Sequence, residues 1–376
     1  MNQIIFFLVI FFPLIIKSES INNESKVDSI IQSGINYLYN YNFDKSITFL
    51  DSSTKIDPLH PVPLFVLISA KWLKTQTESG YIESYEKINS EVDKTIPLYR
   101  EMIKVSPENP ELYLYLGSTY GLRARTAMAD KDWLDVLFYG YQGYKYIQMS
   151  KNMDNHLLDV YMPIGLMEYF TCLSSKTIQL GAKLFGISSD CKQGLYNLEI
   201  AAKSSKYSWV EASNVLSYAY LHIERDFDKA SEFINPLVEN FPGHPFFSFL
   251  KGELLAKTQN WDELNKIMPK LENFSKSNSY YQNNESKLKL AYIVAIREFH
   301  HNNYTNSIKN INWIISNYDM EFDWLKGFSY ILRAKNYEKL KRNDLAVNDY
   351  KETLKMDKFY PEFNEARIRL IELGKQ

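Results

Sequence analysis

Small and apolar residues recur along this chain at steps of three and four and are then cut off by a proline. In "FDKSITFLDSSTKIDP" Phe43, Ser46, Leu50 and Ser53 precede Pro58, and in "FDKASEFINPLVENFP" Phe227, Ala230, Ile234 and Leu237 precede Pro242. "VDKTIPLYREMIKVSP" keeps the spacing with Val92, Thr95, Tyr99, Met102 and Pro107. Steps of that kind place the side chains on one stripe of an α-helix, alternating small with large. The proline after each stripe lacks an amide hydrogen and disfavours helical geometry in the residue before it, so it closes the helix. Pro97 and Pro236 fall inside two of these helices, where a kink is expected.

The stretch "SPENPELYLYLGSTY", residues 106–120, predicts a helix end and a helix start side by side. Pro107 stops what precedes it. Asn109 can then accept hydrogen bonds from the free amides of a new helix, Pro110 suits the first helical position, and Glu111 complements the positive end of the dipole. Along the new helix Tyr113, Leu116, Gly117 and Tyr120 fall at i, i+3, i+4 and i+7. Glycine in a helix interior costs about 1 kcal/mol against alanine, so Gly117 implies close approach of a neighbouring helix. Ten residues separate Pro107 from Gly117, and ten separate Pro242 from Gly252.

This grammar resembles the tetratricopeptide repeat (TPR), a helix-turn-helix unit of about 34 residues. Further copies carry Gly34 and Tyr37 before Phe43, Trp261 and Leu264 after Gly252, then Tyr304, Ser307, Ile311 and Ile314, and last Ala334, Tyr337, Ala346 and Tyr350. Residues 157–202 depart from the pattern. Their Gly165, Gly186, Asp190, Gly194 and Leu195 ahead of Ala201 and Ala202 are similar to the longer helix pair of some extended, exported TPR proteins. The resemblance implies an all-α fold, an α-solenoid wound as a right-handed superhelix of antiparallel helix pairs. It also implies three blocks, residues 21–155, 156–272 and 273–376, and the polar, serine- and asparagine-rich stretch 273–287 is the candidate flexible loop between the last two. It is specific for fold and nearly silent on function, because one scaffold hosts many unrelated sites.

Composition agrees with an elongated array. Over 376 residues there are only 14 glycines and 13 prolines, while aromatics reach 15% and charged residues 23%, values suited to a packed, ordered, helix-rich body. The formal charge of -2 leaves no global field to hold a polyanion, so nucleic acid is not an expected partner. The apolar run Ile4–Ile16, followed by Ser18, Glu19 and Ser20, has the length and small-residue exit of a signal peptide over 1–20. Export, to a periplasm or cell envelope, is the expectation. Cys172 and Cys191 can form a disulfide in such a compartment or remain two buried thiols.

Candidate chemistry is sparse. His60, His156, His222, His244, His300 and His301 show no zinc-ligand spacing, so no metal is expected, and no cofactor motif occurs. The Glu-Ser pairs at Glu24, Glu78, Glu83 and Glu285 lie in or near polar termini or linkers. A non-enzymatic scaffold for a protein or peptide partner is therefore the leading reading, with membrane association through partners. A periplasmic small-molecule carrier serving a solute transporter is the rival. First helices of TPR units line an inner groove, which makes Tyr115, Ser118, Arg123, Arg125, Tyr141 and Tyr144 the candidate partner-binding residues. In "WLDVLFYGYQGYKYIQM", Trp133, Leu137, Phe138 and Tyr141 are expected to pack between helices, with Gly140 and Gly143 allowing close crossings.

Overall fold

The structure, a computed structural model, describes residues 24–130 and 132–374. The leader expected over 1–20 lies outside the described residues, and so does the side chain of Trp133. Among the described residues there are eighteen α-helices and no strand. Packing divides them into two units, residues 24–216 with 240–244 and residues 217–239 with 245–374.

The first unit runs through α1 (Glu24–Tyr39), α2 (Phe43–Ile56), α3 (Pro61–Ser79), α4 (Tyr81–Val105), α5 (Pro110–Ala129) and α6 (Trp133–Met153). A 3-10 turn, Leu158–Val160, leads to α7 (Tyr161–Leu173), α8 (Lys176–Leu184) and α9 (Cys191–Ser204), and most of α10 (Trp209–Tyr218) follows. The second unit holds a π-helical turn, Ala219–Ile223, most of α11 (Phe227–Asn240), α12 (Pro245–Lys257), α13 (Trp261–Phe274) and α14 (Tyr280–His300). It ends with α15 (Tyr304–Ser316), α16 (Trp324–Lys339), α17 (Asn343–Thr353) and α18 (Pro361–Glu372).

Within each unit a helix packs chiefly on the next one and the next but one. From α1 to α6 successive helices touch, and α1 meets α3 as α3 meets α5; α12, α14, α16 and α18 form the same skipping series in the second unit. Short turns between packed neighbours require antiparallel helices, and a series of such pairs is solenoid packing. The stripes read from the sequence are the glue. Ser46, Leu50 and Ser53 are fully buried, as are Ala230, Ile234 and Leu237, and each large apolar side chain so buried contributes roughly 1.5–3 kcal/mol.

Helix ends fall where the sequence sets them. α4 closes at Val105, and α5 opens at Pro110 with the Asn109 side chain accepting the Glu111 amide at 3.0 Å. Helices α4 and α11 continue through Pro97 and Pro236. The loop expected over 273–287 is shorter. Only 275–279 separate α13 from α14, because Ser279 caps the latter by accepting the Gln282 amide at 3.2 Å.

One turn recurs without a sequence signal. Tyr41, Gln259, Asn302 and Lys341 adopt φ of 60°, 56°, 61° and 57°, each two residues before a helix begins. The residue after each donates its amide to a carbonyl five positions back: Asn42 to Tyr37, Asn260 to Leu255, Asn303 to Glu298 and Arg342 to Tyr337, at 2.8–2.9 Å. That is the Schellman closure of a helix, normally given to glycine. In three of the four cases the next helix starts on an aromatic residue, Phe43, Trp261 or Tyr304.

Candidate functional site

The candidate surface is set by how α6 meets α5. A Cβ added at Gly117 would lie 2.7 Å from the Gly143 carbonyl oxygen, and one at Gly143 2.8 Å from the Gly117 carbonyl oxygen. The two backbones touch, and only glycine on both sides permits it. Gly117 meets the close approach its helical position implied; Gly140, expected to do likewise, has nothing within 4 Å of an added Cβ.

With α3, α4 and α6 packed around it, α5 buries 14 of its 20 residues, and this corrects the placement of the predicted partner-binding residues. Tyr115 is buried with its ring 5.7 Å from Phe65. Arg125 is buried between the rings of Trp72 and Tyr85, at 5.4 and 5.3 Å. Ser118 is also buried. Arg123 is half-buried over the Tyr139 ring. Tyr144 is half-buried and donates its hydroxyl to the Gly186 carbonyl at 2.8 Å. Only Tyr141 stands exposed.

The expectation for Leu137, Phe138 and Tyr141 is reversed. Because α6 turns Gly143 and Ile147 toward α5, with Ser150 buried on the same side, no helix among the described residues covers the opposite stripe. Leu134, Leu137, Phe138 and Tyr141, at i, i+3, i+4 and i+7, are 80%, 53%, 55% and 39% exposed. Exposed apolar side chains are ordinary when single; four along one helix face are not.

This stripe continues onto a loop that the sequence left open. Helices α7 and α9 cross as closely as α5 and α6, a Cβ on Gly165 coming within 2.7 Å of the Gly194 carbonyl oxygen. Their ends are joined by a disulfide, Cys172 to Cys191, with Cα atoms 5.3 Å apart. Both cysteines are half-exposed, so the buried-thiol reading is overturned: the α7–α9 crossing brings the two ends into bridging range. The intervening α8 has no buried residue. It is held by the Gln179 amide, which donates to the carbonyls of Cys172 and Ser174 at 2.8 and 3.0 Å. It is closed by Gly186 at φ 76°, with the Ile187 amide bonded to Ala182. The Phe185 ring then lies 4.9 Å from that of Tyr141.

The second unit has a narrow cleft walled by Phe246, Phe249, Tyr292 and Trp324, with Glu253 and Lys289 on its polar side. It encloses about 260 Å³ counting its open mouth, below the range of roughly 300–1,000 Å³ typical of small-molecule sites. Its charges are paired within the fold. Lys257 sits 2.9 Å from Glu253, and Lys289 pairs with Glu285 and lies over the Phe246 ring. Burial raises the Glu253 carboxyl and, with the Lys257 charge second, holds the His222 imidazole on the π-helical turn well below its ordinary range. His222 is thus a neutral ring among Tyr218, Trp324 and Phe328. Among the described residues no three His, Cys, Asp or Glu stand together as a metal site.

No family model matches the chain, and no curated protein sequence matches it either. Solved structures do match, among them the crystal structure of the P58(IPK) TPR domain. That superposition covers 93% of this chain and 99% of that one at 12% identity and a TM-score of 0.25, too loose to argue from. The chain's own geometry decides the matter: antiparallel pairs, small-residue stripes ended by proline, a glycine-bearing aromatic helix and the same Schellman turn four times. These are TPR-like helix pairs. On this TPR-like frame the surface that sequence reasoning missed is the outer side of α6 with α8. Its signal was present, since α6 carries apolar residues on two opposite faces and α5 can cover only one.

Proposed function

We propose that this chain is an exported, non-catalytic TPR-like scaffold that docks a protein partner in the cell envelope through the outer face of α6. The observation that carries the reading is the uncovered stripe Leu134, Leu137, Phe138 and Tyr141. Its spacing is the one that receives an apolar segment from another chain, and aromatic anchors dominate such contacts. The disulfide between Cys172 and Cys191 fits an oxidising compartment, and the apolar run Ile4–Ile16 fits export. A non-enzymatic role is supported by the internal pairing of the charged groups around Glu253 and Lys289.

The test is differential capture. Proteins retained from an envelope extract by the wild-type chain are compared with those retained by Leu137→Asp/Phe138→Asp, whose helix content is verified by circular dichroism. The reading predicts a discrete partner lost with the variant. Equal retention by both chains would reject α6 as the docking face. The small-molecule carrier is the competing outcome: no protein enriched, and thermal stabilisation by a small solute.

A further inference from the structure

We propose that the disulfide-fastened segment around α8 rests on an anionic lipid surface, with Ile178, Leu180, Leu184 and Phe185 at the acyl boundary and Lys176 and Lys183 among the headgroups. The segment does nothing for the core of its unit, since no residue of α8 is buried. Leu180 and Leu184 are 67% and 86% exposed. Yet the fold takes pains to present it: the Cys172–Cys191 bridge, the Gln179 bonds, the Tyr144–Gly186 bond and the left-handed Gly186 all hold it in place.

Charge selects the occupant. From residue 169 to residue 189 the only charged side chains are Lys176 and Lys183. At 100° per residue they lie with Gln179 on one side of the helix. Leu180 and Leu184 project on one flank of that polar strip, Ile178 and Phe185 on the other. The arc from Leu180 and Leu184 round to Phe185 and Ile178 spans close to half of the circumference, interrupted only by Thr177 and Gly181, and is bordered by cations and free of carboxylates. A bound peptide would cover one flank; a bilayer interface accepts both, as an amphipathic helix lying in the headgroup plane does. Among the described residues no helix is long and apolar enough to cross a membrane, and the proposed contact is that of α8 lying in the interface plane. It does not depend on the protein-docking reading of α6, although Tyr141 and Phe185 make the two surfaces neighbours.

The test uses the full chain carrying Leu184→Cys labelled with the environment-sensitive dye NBD, beside a control label at Ile56, which is exposed on a different helix. Vesicles of phosphatidylglycerol with phosphatidylcholine should blue-shift the label at 184 and leave the one at 56 unchanged. Half-saturation should need roughly tenfold more lipid with pure phosphatidylcholine, and likewise with Lys176→Glu/Lys183→Glu, because each lysine near an anionic surface adds to binding. Leu137→Asp/Phe138→Asp should respond like wild type, which separates this proposal from the docking of a protein. No shift at 184 with anionic vesicles, an equal shift with neutral ones, or a shift caused only by an acidic soluble protein would overturn it.

Discussion

The ring of Tyr141 packs 4.9 Å from that of Phe185, and this one contact joins a helix face and a disulfide-closed loop into a continuous apolar surface. Neither partner belongs to the core: Tyr141 is 39% and Phe185 38% exposed.

The α5–α6 crossing that leaves this surface free makes a prediction about two glycines. Gly117→Ala places a methyl against the Gly143 carbonyl and the Ile147 amide, backbone atoms that cannot yield without moving a helix, so it should cost about 2–3 kcal/mol. Gly140→Ala meets nothing and should stabilise by about 0.5–1 kcal/mol. Urea titration of both variants separates them by sign.

The recurring turn predicts gains where the left-handed residue is not suited to its place. Gln259→Gly and Lys341→Gly relieve a backbone cost of about 1–2 kcal/mol, less the greater freedom of glycine in the unfolded chain, for a net gain of up to about 1 kcal/mol. Asn302→Gly should gain less, because asparagine already tolerates that conformation. Thermal melts of the three variants give the order.

Asp159 acts as a remote cap. Its buried carboxylate accepts the amides of Lys206, Tyr207 and Ser208 at 3.1, 2.6 and 2.6 Å, just before α10 begins. Asp159→Ala leaves all three without their acceptor and should cost at least about 3 kcal/mol. Hydrogen exchange at Tyr207 and Ser208 should rise more than at the α5–α6 crossing.

Burial pushes the Asp357 carboxyl up to about 7 from an ordinary 3.8. The folded state therefore binds the proton more tightly than the unfolded chain. The resulting stability is fully present below 3.8 and is lost as pH rises through 7. Asp357→Asn should match wild type at the acid end of that window and exceed it at the alkaline end by a few kcal/mol. Melting midpoints across the window check it; a pH-independent difference would contradict it.

Helix limits were legible because stop and start signals are local, as at Pro107, Asn109 and Pro110. So was the close approach at Gly117, where the missing side chain has no other use. The turns at Tyr41, Gln259 and Lys341 were not legible, since nothing in a tyrosine, glutamine or lysine announces a left-handed backbone. The surface was misread for a different reason. Leu137, Phe138 and Tyr141 have core spacing, and only the competing stripe of Gly143, Ile147 and Ser150 decides which side α5 takes. The periodicity of one helix does not say how many neighbours enclose it, so it gives Tyr115 and Arg125 a groove position where the fold buries them. The disulfide stayed open because a sequence separation of 19 leaves the distance between the two α-carbons undetermined.

Site-specific photo-crosslinking in the native host tests the docking claim most directly. A photoreactive residue is placed in turn at Leu134, Leu137, Phe138 and Tyr141, with controls at the exposed Ile56 and Val105. The account predicts one adduct of common mass from the four stripe positions and none from the controls. Adducts from the controls alone, or none from the stripe in a folded chain, would contradict it.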